Sequence, residues 1–133
     1  MSIKTEAVYI NKNIISIIFK NNSEGIGPKV IGWSEAVNFN FRNNKFLKYK
    51  DCFISDKASM RKVIKIINKK LEGECKIDTL KSKTLVNFAF GNDIIEFPLS
   101  DYQVARPCEM PTIKIPKNLL LPFIKDNNDC WAP

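Results

Sequence analysis

Between Asp56 and Leu71 apolar side chains return at helical spacing (Met60, Val63, Ile64, Ile67, Leu71), while Arg61, Lys62, Lys65 and Lys69 fall on the opposite side. Ser55 or Asp56 can cap such a helix by accepting backbone N–H bonds, and Gly73 can end it. One stripe of this kind needs an apolar surface to lie on. The rest of the chain carries no second one, so the surface has to be a sheet, with the basic face of the helix in water.

Strand patterns stand on both sides of the helix. Ala7 to Ile10 and Ile14 to Phe19 are rich in β-branched and aromatic residues, and Asn11-Lys12-Asn13 between them suits a hairpin loop. Asn21 to Pro28 reads as a polar loop, and a strand follows near Lys29-Val30-Ile31. Alternation then puts Val37, Phe39 and Phe41 on one face and Asn38 and Asn40 on the other. Asn43-Asn44 fits a two-residue turn, with Phe46, Leu47, Tyr49, Phe53 and Ile54 continuing as another strand. Beyond the helix, Leu85 to Phe90 and Ile94 to Leu99 flank Gly91-Asn92-Asp93, a strong hairpin signal. Val86, Phe88 and Phe90 share one face of it, as do Ile95, Phe97 and Leu99, and both faces can press toward the helix. Pro98 marks an edge or a strand end.

Prolines at 98, 107, 111, 116 and 122 deny the remaining segment long helices and central strands. Thr112 to Ile115 is expected as a short strand and Lys117 to Phe123 as a helical turn or two. The fold class that follows is α+β: antiparallel β-meander and hairpins packed on one main amphipathic helix (about 56–71), with a proline-rich wrapping C-terminal segment. At 133 residues one domain, 1–133, is expected.

The chain contains no histidine, the side chain most used for acid–base chemistry near neutral pH and the commonest metal ligand. Its four cysteines, Cys52, Cys75, Cys108 and Cys130, are widely spaced, with no close ligand pair for zinc. No metal or cofactor is implied. The amino terminus lacks the apolar core of a secretory signal, and no apolar run is long enough for a bilayer. A cytoplasmic location without membrane contact is therefore the default, with the cysteines expected as free thiols.

Glu74-Cys75-Lys76 has the carboxylate–x–lysine spacing of many magnesium-dependent nucleases. Those sites also need an aspartate on the neighbouring strand of the same hairpin, and Asp56 stands before the whole helix. A chance match is the better reading, and the chain is expected to be no enzyme.

Charge is the stronger lead. Residues 42–83 hold thirteen lysines and arginines against five acidic residues, a net of +8, while the other residues sum to −1. Arg42, Lys45, Lys48 and Lys50 before the helix, and Arg61, Lys62, Lys65 and Lys69 on it, form the candidate partner-binding set. Such cations attract an acidic protein partner, a toxin domain being one case. With Phe46 and Tyr49 interleaved they could also hold phosphates and stack on bases, making nucleic acid the alternative partner. Strand alternation, however, puts Phe46 with Lys48 and sets Leu47 with Tyr49 on the other face. In the tail, Tyr102, Arg106, Met110, Phe123 and Trp131 are of the types that anchor interfaces, although covering a sheet is the simpler role for them. Trp33 reads as a core or rim residue. In size and in lacking catalytic parts the chain looks like the small single-domain cytosolic proteins with which bacteria neutralise toxins. That likeness transfers no residue. It does suggest an immunity-type inhibitor as the sharpest form of a protein-binding module.

Overall fold

Where β-branched residues crowd the amino-terminal third, the chain runs as a meander. The computed structural model describes residues 2–10, 13–23, 31–71, 87–99, 112–125 and 130. Strands β1 (Ser2–Ile10), β2 (Ile14–Ser23), β3 (Ile31–Asn40) and β4 (Lys45–Phe46) pair antiparallel in that order. A register shift between Thr5 and Ala7 bulges β1. The turn includes the expected Asn43-Asn44 but is wider, spanning 41–44 and taking Phe41 out of the strand: Asn44 takes a left-handed φ of 57°, and Asn40 Oδ1 accepts from the backbone N–H of Arg42 and Asn43.

The asparagines, not the phenylalanines, face inward. Asn38 and Asn40 are buried together with Ser16, Ser34, Ile14 and Ile18, whereas Val37 and Phe39 are half-buried and Phe41 is exposed. Alternation had separated the two faces correctly, but only a contact beyond the sheet explains their direction. Asn38 Nδ2 donates to the Phe88 carbonyl (2.8 Å), its Oδ1 accepts from Ser16 Oγ (2.6 Å), and the Phe90 N–H donates to Ser16 Oγ (3.1 Å). Asn87 Nδ2 donates in turn to the Ser34 carbonyl (2.8 Å). Side chains of the meander thereby complete the backbone at the edge of the second sheet, where buried donors and acceptors need partners.

That second sheet is β5 (Ala89–Phe90), β6 (Ile94–Pro98) and β7 (Thr112–Pro116), antiparallel in sequence order. Its hairpin closes with the Gly91 N–H on the Ile94 carbonyl and Asp93 at φ 57°. A Cβ on Gly91 would stand 2.6 Å from Ile94 Cγ1, so the turn needs glycine there. Pro98 is a strand end, as expected. Phe88, Phe90, Ile95, Phe97, Leu99, Ile113 and Ile115 enter one buried cluster with Val63, Ile64, Ile67 and Leu71 of the helix.

The helix itself is α2 (Lys57–Asn68), with Asp56 as its cap: Ser59 N–H and Oγ donate to the two carboxylate oxygens at 3.0 and 2.6 Å. These bonds hold the Asp56 carboxyl below its ordinary range. Val63, Ile64 and Ile67 are fully buried. Of the loop expected over Asn21 to Pro28, Asn21 to Ser23 instead extend β2 and pair with β3; residues 24–30 (with Lys29-Val30) lie outside the described residues, as do Asn11-Lys12, Gly73 and Leu85-Val86.

The strand expected over Phe46 to Ile54 is corrected. After two residues of β4 the chain turns into a short helix, α1 (Tyr49–Cys52). Asp51 is the reason: its carboxylate accepts the Lys48 N–H at 2.8 Å and closes the first turn. Helical spacing then stacks Tyr49 on Phe53 at 4.5 Å, and Phe88 meets Phe53 edge-on at 5.3 Å.

The tail wraps this corner. After β7 come α3 (Lys117–Leu120) and a 3-10 turn at Leu121–Phe123. The chain then runs antiparallel to 52–54 through the Ile54 N–H to Phe123 carbonyl bond, the Phe53–Ile124 bridge and the Lys125 N–H to Cys52 carbonyl bond. Cys130 is joined to Cys52 in a disulfide with Cα atoms 5.7 Å apart. The expectation of free thiols is thus overturned for this pair, because the returning tail brings the two Cα atoms within bridging range. Cys75 and Cys108 lie outside the described residues.

Three outcomes test this architecture. Ile64→Asp places an unpaired carboxylate in the core and should cost about 3 kcal/mol or more in a denaturant titration, against about half a kcal/mol for exposed Lys65→Asp. Asn38→Leu, although more apolar, should cost about 2–4 kcal/mol, because the Phe88 carbonyl and the Ser16 hydroxyl both lose a partner in a buried place. Cys130→Ser opens a loop with a sequence separation of 78 residues. Its cost should be on the order of 4 kcal/mol, and reductant should reproduce the loss in the wild type.

Candidate functional site

Two short devices display the cations. The Asn40-closed turn carries Arg42 and delivers Lys45 to β4, and the Asp51-capped α1 holds Lys48 at its start and Lys50 on its outer side. On α2 the buried stripe turns Arg61, Lys62 and Lys65 outward, and Lys69 follows at the helix end. All eight expected residues are exposed. They occupy one continuous stretch of chain, from the end of β3 through α2.

The aromatic residues among them divide as strand alternation had suggested. Tyr49 is 5% exposed and belongs to the core, where burial pushes its hydroxyl well above the ordinary tyrosine range. Phe46 is 64% exposed, stands beside Lys45, and touches the Phe39 ring at 4.9 Å.

Sequence reasoning missed three features. Lys125 returns with the tail and donates from Nζ to the Lys50 carbonyl at 2.6 Å, adding a cation to the region of α1. Ile10 is 72% exposed and lies in the same cross-sheet row as Phe46. No local pattern reveals either, since both depend on pairings between distant segments. The third is Glu96, 2% exposed on the face of β6 opposite Ile95 and Phe97. Its cross-strand neighbours are Ala89 and Lys114, and its Oε2 is buried without a hydrogen-bond partner in the structure.

A cleft of about 500 Å³ opens between Tyr9, Ile10, Ile14 and Ser16 of the meander and the Gly91–Ile94 turn. Asp93 and Lys117 line it, and the Lys117 N–H donates to the Asp93 carbonyl. Among the described residues no group of three or more His, Cys, Asp or Glu could hold a metal ion. Asp56 of the nuclease-like trio is engaged as a helix cap, and Glu74 and Lys76 lie outside the described residues. So do Tyr102, Arg106, Met110, Trp131 and the side chain of Trp33, while Phe123 packs half-buried against the core. No described helix is long and apolar enough to cross a membrane.

The sequence matches no protein-family model and no curated protein. The fold is similar to the crystal structure of a DUF3298 family protein from Pseudomonas aeruginosa PAO1, with a TM-score of 0.62 over 93% of this chain. Identity is 16%, so the likeness is one of fold. The chain spans 61% of that neighbour's length.

Proposed function

We propose that this chain is a non-enzymatic binding module that engages an acidic protein partner through its exposed cations. The observation that carries the reading is the placement of Arg42, Lys45, Lys48, Lys50, Arg61, Lys62, Lys65 and Lys69, every one exposed. On α2 the opposite face is locked into the core, so the cations are presented on a rigid support rather than on a loop. Clustered charge of one sign steers a complementary partner and raises its rate of association. An immunity-type inhibitor with a toxin domain as its partner is the sharpest form of this reading.

Nucleic acid is the second reading. Phe41, just before Arg42, and Phe46, between Lys45 and Lys48, are exposed and supply rings on which unpaired bases can stack.

One triple variant tests the first reading and, with a salt titration, separates it from the second. Arg61→Glu, Lys65→Glu and Lys69→Glu together should leave the melting temperature within a few degrees, because all three side chains are exposed. They should lower affinity for an acidic partner recovered by pull-down at least tenfold, by charge repulsion at the contact. Recovery of nucleic acid alone, with affinity falling steeply as salt rises, would replace the first reading by the second.

A further inference from the structure

The disulfide fastens the tail to the helix that carries two of the candidate cations. Cys52 is the last residue of α1, whose start and outer side expose Lys48 and Lys50, and Cys130 Sγ lies 3.5 Å from the Asp51 carbonyl oxygen. Apart from the bridge, the tail is tied here by little. Among the described residues two backbone hydrogen bonds join it to 52–54, and the Lys125 ammonium donates to the Lys50 carbonyl. The chain before the tail is fastened independently: β7 pairs with β6 along its whole length, and Ile113, Ile115 and Leu120 sit in the buried cluster.

The two halves of the bridge differ in access. Both cysteines are buried, yet Cys130 lines the cleft of about 500 Å³ beside the Gly91–Ile94 turn, and Cys52 does not. A space of that size admits a small thiol. Asp93 and Lys117, one charge of each sign, line it as well, so its charge does not bar a thiolate.

We infer that the bridge is a thiol-operated latch: a small thiol entering the cleft opens it at Cys130, and the tail beyond Phe123 then leaves α1 while both sheets and α2 stay folded. The incoming thiolate bonds to Cys130 Sγ, the Cys52–Cys130 bond breaks, and its electron pair leaves on Cys52 Sγ, which takes up a proton. A second small thiol then attacks the small-molecule sulfur of the mixed disulfide and releases Cys130. Two small thiols are thereby oxidised to one small disulfide, and the protein gains two thiols. With the bridge open, the short pairing at 52–54 has to offset the chain entropy of the tail by itself. Segments held by so few bonds open locally, without the rest of the domain. Release takes Lys125 away from α1 and so alters the cations displayed there. The latch goes beyond the binding reading and does not rest on it, because its action is read without a partner.

The test uses the full wild-type chain in the absence of denaturant. Brief exposure to glutathione, acid quenching and peptide mapping should place the mixed disulfide on Cys130 at least fivefold over Cys52, with Cys75 and Cys108 scored on their own peptides. The rate of reduction by dithiothreitol should change less than twofold between none and 1 M urea. Reduction that waits for global unfolding would instead rise about tenfold or more per molar urea. In the 15N amide spectrum of the fully reduced protein, Ile124 and Lys125 should move to random-coil positions and Lys50 to Ile54 should shift. Val63, Ile64, Ile67, Ile95 and Ile113 should keep their places. The double variant Cys52→Ala with Cys130→Ala should give the same spectrum, which separates loss of this bridge from any effect of reductant on Cys75 or Cys108.

Collapse of the whole amide pattern, in the reduced protein or in the double variant, would overturn the latch and make the bridge a staple of the fold. Ile124 and Lys125 unmoved on reduction would overturn it too, since nothing would then be released. A mixed disulfide on Cys52, or the steep urea dependence, would overturn entry through the cleft.

Discussion

The carboxamide of Asn38 joins the two sheets. It donates to the carbonyl of Phe88 and accepts from Ser16, whose oxygen takes the N–H of Phe90. A strand as short as β5 has one neighbour in its sheet, β6, so its other edge presents backbone groups that cannot stay buried and unpaired. Another strand could have covered that edge. Here side chains do it, and this obliges the inward face of the meander to be polar at Ser16, Ser34 and Asn38. Burying these groups is tolerated because each has a partner; without the partner, burial of an amide or hydroxyl is expensive.

A polar inner face leaves the apolar residues of β2 and β3 pointing outward. Hydrophobic side chains usually occupy the inner face of a meander, and their burial drives its packing. This meander instead anchors through hydrogen bonds, assisted by Ile14 and Ile18, and keeps Ile15, Ile17, Val37 and Phe39 for its outer surface. One structural requirement at β5 thereby sets which side chains the meander turns outward.

The hydrophobic driving force is concentrated elsewhere. Val63, Ile64 and Ile67 of α2 meet the second sheet, with Phe53 and Phe88 in edge-to-face contact within the same cluster. The tail braces this region by pairing along 52–54 and by the disulfide to Cys52, at the end of α1. The cations of α1 and α2 ride on that braced core, so reversing their charge is expected to alter binding rather than folding.

Much of this was legible in the residues, and the limits are instructive. The stripe from Met60 to Leu71 located α2, Asn43-Asn44 and Gly91-Asn92-Asp93 located turns, and the side of α2 holding Arg61, Lys62 and Lys65 was known to face water. Each depends on residues near one another in the chain, whose periodicity and backbone preferences are properties of the sequence itself. The alternation of Val37, Phe39 and Phe41 with Asn38 and Asn40 likewise separated two faces. Which face turned inward was decided by Phe88, fifty residues away in the chain, because a buried backbone carbonyl needs a donor more than the core needs another valine. The end of β4 at Phe46, the pairing of Cys52 with Cys130, and the row joining Ile10 to Phe46 belong to the same class. A strand, a thiol or an exposed isoleucine acquires its role from what packs beside it, and only the tertiary structure supplies that neighbour.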